Sequence, residues 1–92
     1  MHAAAEVKST TIPGTHVGVV RDLSEEGMFF YSDFKPPIGT ELRIAFVPPA
    51  AGLGARIYCE GVVVRVEQVR MGAAPGIAVR LTHKKPAMRA SA

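Results

Sequence analysis

From residue 16 onward, apolar and polar positions alternate with a period of two, and no stretch sustains the i, i+3, i+4, i+7 spacing of a buried helix face. The chain therefore predicts short strands joined by turns. Residues 16–21 and 28–32 read as two strands. The turn Lys35-Pro36-Pro37-Ile38-Gly39, whose prolines exclude helix, leads into a strand over 41–47. In that strand Leu42, Ile44 and Phe46 share one face, and Glu41, Arg43 and Ala45 the other.

After a hairpin connection over 48–54, the run 56–69 is too long for one flat strand, and a bend is expected near Gly61. Ile57 and Cys59 should point inward before it, and Val62, Val64 and Val66 after it. A turn over 70–75 precedes a last strand over 76–81, with Ile77, Val79 and Leu81 on one face. At the other end, residues 4–9 suit a further strand, closed off by the Pro13-Gly14 turn signal. Five or six strands, with no helix long enough to cover a sheet, predict an all-β domain built as a small closed or nearly closed barrel.

At 92 residues the chain suits one domain, expected to bury roughly 60–65% of the surface its unfolded form exposes. The barrel is placed over about 4–82, with 83–92 as a flexible basic tail. Hydrophobic residues make up 48% and charged residues 21%, which excludes a disordered chain. No apolar run approaches the ~18–20 residues that a membrane-spanning helix needs. The segment Met1-His2-Ala3-Ala4-Ala5-Glu6 lacks the basic and apolar regions of a secretory signal, so a cytoplasmic location is expected.

The net charge of +3 comes from seven Arg and four Lys against eight acids, and three of those cations, Lys84, Lys85 and Arg89, stand in the last nine positions. Such a mild field gathers anions without choosing among partner classes. The remaining basic residues are scattered and alternate with acids, as at Glu41/Arg43 and Arg65/Glu67. This argues against a nucleic-acid-binding barrel, which needs a positive groove with stacking aromatics. The lone Cys59 sits in an apolar run and reads as a small core residue. His2, His16 and His83 have no metal-ligand spacing, so no metal and no cofactor are expected. No nucleophile-base pair, paired carboxylates or phosphate-cradling glycine loop is present, and the chain reads as a non-enzyme.

Chemistry concentrates in Asp22-Leu23-Ser24-Glu25-Glu26-Gly27, where a carboxylate, a hydroxyl and a glycine stand at 0, +2 and +5 between two strands. Two readings apply. Asp and Ser side chains at a turn commonly bond to backbone N–H groups two or three residues on. The same groups at a barrel rim also suit a ligand. Phe29 and Tyr31 alternate with the core-facing Met28 and Phe30, so they point outward, where such a pair marks a partner surface more often than a nucleotide site.

These residues carry a family resemblance. Asp22-x-Ser24-x-x-Gly27, the strand 28–32, the turn Ile38-Gly39-Thr40 before Leu42, and then Gly61-Val62-Val63-Val64-Arg65 and Gly76-Ile77-Ala78-Val79 follow the order and spacing of a PilZ domain, over roughly residues 4–82. The resemblance implies a six-stranded antiparallel β-barrel and a regulatory role as a receptor for the bacterial second messenger cyclic di-GMP. In that family the ligand is held by an Arg-x-x-x-Arg sequence leading into the barrel and by the motif that Asp22, Ser24 and Gly27 match. Only the second is present, because no arginine precedes Arg21 and the only earlier cation is Lys8.

The resemblance implies that Asp22 accepts the N1–H and N2–H donors of a guanine edge. Ser24 donates to a phosphate or base, and Gly27 permits close backbone approach or a positive φ. Arg21, adjacent to Asp22, either offers a partial cationic substitute for the missing arginines or simply faces solvent. The chain is then either a fragment or minimal domain, or a degenerate PilZ adaptor that works by protein contact through Phe29 and Tyr31 without nucleotide.

Overall fold

A computed structural model describes residues 2–48, 56–68 and 72–87, with the last four of these as backbone alone. Six strands form: β1 (Ala3–Ser9), β2 (Thr15–Leu23), β3 (Gly27–Ser32), β4 (Glu41–Phe46), β5 (Arg56–Glu67) and β6 (Gly76–Ala87). They close into an antiparallel barrel in the order β1-β2-β3-β6-β5-β4, with β4 returning to β1 through the pairs Ala5↔Phe46 to Ser9↔Leu42. Closure matches every strand to two neighbours and hides the hydrogen-bonding edges that an open sheet of this size would leave exposed.

The period-two pattern becomes the inside and outside of the barrel. Ala3, Ala5 and Val7 of β1, Met28 and Phe30 of β3, Leu42, Ile44 and Phe46 of β4, and Ile77 and Val79 of β6 all point inward and are buried. Phe30 and Phe46 are the largest fully buried side chains. Gly18, on the inner face of β2, makes space for Phe30: a Cβ there would lie 3.1 Å from the Phe30 ring and 2.8 Å from the Tyr31 carbonyl oxygen. Cys59 is buried in this core, and Leu81 and Ile57 pack against it.

The turns follow the punctuation. Gly14 and Gly39 take positive φ (98° and 95°), and Thr40 caps its turn through N–H and hydroxyl bonds to the Pro37 carbonyl oxygen (3.1 and 2.6 Å). Residues 49–54 of the expected hairpin connection, and 70 and 71 of the next turn, lie outside the described residues.

Two expectations for the last hairpin are corrected. The ladder between β5 and β6 does shift register at Glu60/Gly61, but the extra residue there is Thr82, on β6. Residues Cys59, Gly61 and Val63 therefore stay on the inner face. Parity on β5 changes only at a second shift, between Val63 and Arg65, where Val64 is the unpaired residue and stands 44% exposed. The inward set is thus Cys59, Gly61 and Val63, followed by Val66, and not Val62, Val64 and Val66. An apolar run of valines carries no polar marker of its inner face, which is why alternation misplaced the switch.

The last strand also runs beyond Leu81. Residues 83–87 of the segment read as a tail pair with β5, from Glu60↔His83 to Arg56↔Ala87, while 88–92 lie outside the described residues. Two strands of 12 residues, at about 3.4 Å per residue, reach roughly 40 Å and account for the long axis of the 41 × 25 × 25 Å molecule.

Gly61 shows how tightly this hairpin is closed. A Cβ at that position would run into Val79 Cγ1 and stand 2.6 Å from the Arg80 carbonyl oxygen. Gly61→Ala is expected to lower unfolding stability by about 1–3 kcal/mol in urea titration, with an unchanged denaturant slope. A midpoint equal to wild type would show that the β5–β6 contact can open without cost.

Candidate functional site

The motif lies on the β2–β3 hairpin at one end of the barrel. Along β2, His16, Gly18 and Val20 turn inward, so simple alternation would send Asp22 into the core as well. A bulge prevents this. Val20 pairs with Phe30 and Asp22 with Phe29, leaving Arg21 as the extra residue on β2. Arg21 and Asp22 consequently both point outward, and Leu23 resumes the inner phase and packs against the core.

Outside the barrel these two residues meet the outward aromatics of β3. Arg21 Nε donates to Asp22 Oδ2 at 2.7 Å, and Arg21 Nη1 donates to the Tyr31 hydroxyl at 3.0 Å. The guanidinium carbon stands 4.4 Å from the Phe29 ring centroid and 5.9 Å from that of Tyr31. Phe29 and Tyr31 meet edge to face at 5.4 Å. Beneath them the outward position of β6 is Gly76, and the Phe29 ring lies directly over it, where a Cβ would collide with the ring. Removing that Cβ leaves room for the Cζ tip of the ring against β6. The hydrogen bond to Asp22, then that to Tyr31, push the Arg21 guanidinium above its already high ordinary value. It is a cation at every working pH.

Ser24 and Gly27 close the turn itself. Ser24 N–H donates to the Gly27 carbonyl oxygen at 2.9 Å, and the Ser24 hydroxyl accepts from the N–H groups of Gly27 (3.2 Å) and Glu26 (3.3 Å). The Glu26 carbonyl oxygen accepts from Leu81 N–H at 2.9 Å, which ties the turn to β6. No residue of the turn has positive φ, so Gly27 is needed for close approach, not for a left-handed backbone: a Cβ there would stand 3.2 Å from the Val79 carbonyl oxygen. The structural reading of Ser24 as a turn cap thus holds in its geometry. Asp22 is different, because its carboxylate bonds to Arg21 and its side chain is 64% exposed.

The four residues singled out from the sequence, Arg21, Asp22, Ser24 and Gly27, are brought together at one rim. Phe29, Tyr31 and Gly76 join them; the sequence sets the two aromatics just after the motif and facing outward, where a partner surface is the favoured reading, and gives no sign that Gly76 lies beneath them. Alternation did place Phe29 and Tyr31 outward, but the bulge that swings Arg21 over them has no signature in the residues themselves.

Lys8, the only cation before Arg21, is not part of this group. It pairs with Thr15 near the start of β2, whereas Ala3 pairs with Val20. At about 3.4 Å per residue, Lys8 stands roughly 20 Å from the motif end of the barrel. Phe34 is also elsewhere, stacked on His16 at 3.9 Å. A groove of about 290 Å³, lined by Glu6, Lys8, Arg43, Arg56 and Tyr58 among others, opens on the β1–β4–β5 side, away from the motif.

Among the described residues, no cluster of three or more His, Cys, Asp or Glu could hold a metal ion, and no helix is long and apolar enough to cross a membrane. No curated protein and no solved structure matches the chain significantly. A family model does: that of the PilZ domain, over residues 2–91, nearly the whole chain. With a closed six-stranded barrel and the Asp22-x-Ser24-x-x-Gly27 turn at its rim, the chain belongs to the PilZ domain family, a family of binding and regulatory domains that are typically receptors for cyclic di-GMP.

Proposed function

We propose that this domain is a bacterial, cytoplasmic regulatory module that binds cyclic di-GMP on the outer face of the β2–β3 hairpin. The observation that carries the reading is the bulge at Arg21. It turns the Asp22 carboxylate out of the barrel and sets it beside a fixed cation and two aromatic rings. A carboxylate in that position accepts the N1–H and N2–H donors of guanine. Ser24 holds the turn in shape, and its own hydroxyl proton, directed at the Gly27 carbonyl oxygen across a long 3.4 Å, is available to redirect toward a phosphate oxygen. Gly27 keeps the turn close to β6.

A second reading is favoured by one observation. Among the described residues no arginine precedes Arg21, Lys8 stands at the far end of β1, and Arg21 is already bonded to Asp22. On this reading the domain is an adaptor that works by protein contact through Phe29 and Tyr31.

Calorimetric titration of the chain with cyclic di-GMP, with GTP as control ligand, separates the two. The nucleotide reading expects saturable heat with cyclic di-GMP alone, and the adaptor reading expects none. Asp22→Ala is expected to weaken cyclic di-GMP at least about tenfold, the scale of one charge-assisted hydrogen bond, with an unchanged circular dichroism spectrum. Ser24→Ala is expected to cost about 1 kcal/mol of stability in thermal or urea unfolding under either reading, because two backbone N–H groups lose their acceptor.

A further inference from the structure

The proposed site leaves one question of chemistry, namely what Arg21 does for a ligand. An arginine near a bis-phosphate ligand suggests a phosphate contact, which needs guanidinium N–H donors turned toward the ligand. Here two of those donors are committed: Nε to Asp22 Oδ2 at 2.7 Å and Nη1 to the Tyr31 hydroxyl at 3.0 Å. Both partners lie to the side of the group, and Phe29 lies beneath it, 4.4 Å from ring centroid to guanidinium carbon. Phe29 is itself held down over Gly76 and braced by Tyr31. The Arg21 side chain is nevertheless 46% exposed, so what it offers outward is the side away from the ring.

On these observations, and resting on the nucleotide reading above, we infer that Arg21 is a stacking plane for a purine base and not a phosphate ligand. A guanidinium is planar and weakly hydrated, and it stacks on aromatic rings from either side. A purine laid on the outer side of Arg21 completes a three-layer stack of Phe29, guanidinium and base, without breaking the bonds to Asp22 and Tyr31. The base then lies next to the Asp22 carboxylate, whose second oxygen takes no part in the bond from Arg21 Nε and accepts from the donor edge of the base. Asp22 thus has two tasks, orienting the arginine through one oxygen and reading guanine through the other. Recognition by this pair selects a purine with an N–H donor edge and leaves the phosphates to solvent and to the turn.

The distinguishing substitution is Arg21→Lys, which keeps the charge and the reach but has no plane to stack and no fork to span Asp22 and Tyr31. The whole chain, wild type and variants, is titrated calorimetrically with cyclic di-GMP at low and near-physiological salt. The expected result is that Arg21→Lys weakens binding at least tenfold, as much as Arg21→Ala does, while the salt dependence of binding stays that of wild type. Phe29→Leu, which removes the ring beneath the guanidinium without touching the ligand, is expected to weaken binding severalfold in the same salt-independent way.

If Arg21→Lys binds like wild type, and Arg21→Ala both weakens binding and flattens its salt dependence, Arg21 is a phosphate ligand. The stacking inference is then overturned while the cyclic di-GMP reading stands. If wild type itself shows no binding, the nucleotide reading fails first, and the inference falls with it.

Discussion

Closure of the barrel is the constraint on which everything else in this molecule depends. Once β4 returns to β1, each strand has a partner on both sides, and every residue is assigned to the inside or the outside by its place in the register. A slip of one residue would turn an entire strand over. On β2 that assignment would send Asp22 into an apolar core, where an unpaired carboxylate costs several kcal/mol. One extra residue at Arg21 resolves the conflict by letting Val20 and Leu23 both face inward while Arg21 and Asp22 both face out.

The same device shapes the neighbouring β5–β6 hairpin, with different consequences. On β5 and β6 the unpaired residues are Val64 and Thr82, one on each strand. Each bulge shifts parity on its own strand, so the two strands can remain paired along 12 residues while their inner faces follow the curve of the barrel. Glycine marks where backbones approach too closely for a side chain. Gly61 faces Val79 and the Arg80 carbonyl inside the barrel, and Gly76 receives Phe29 outside it. The core and the outer aromatic platform are therefore linked through β6, whose Ile77 and Val79 fill the interior between positions that support Phe29.

The electrostatics of the rim orient more than they stabilise. Arg21 and Asp22 form an exposed ion pair, of a kind that contributes little to folding in water. Its effect is geometric: two fixed hydrogen bonds and an aromatic ring leave the guanidinium few other arrangements. Arg65 with Glu67, and Arg43 with Glu60 at 3.9 Å, show that other outward cations of the barrel also pair with acids on the same face. What sets Arg21 apart is the pair of aromatics under and beside it. The turn that carries Ser24 and Gly27 is exposed as well and is held by hydrogen bonds, not by buried area, which fits a site placed on a loop over a rigid scaffold.

Much of the barrel was legible in the residues. Leu42, Ile44 and Phe46, then Ile77, Val79 and Leu81, alternate with an arginine or an alanine, so the larger apolar side chains mark the inner face by the two-residue period. Pro13-Gly14 and Pro36-Pro37 mark turns through their fixed or left-handed backbone. The six-residue motif and its position between two strands were equally plain. What the sequence could not decide was parity at the bulges: valines 62 to 64 are all apolar, and nothing in Val20-Arg21-Asp22 says which residue goes unpaired. That choice is made by partner strands distant in the chain, which lower the free energy of one register by filling the core. Through it, the tertiary structure alone placed Arg21 over Phe29 and Asp22 at its side.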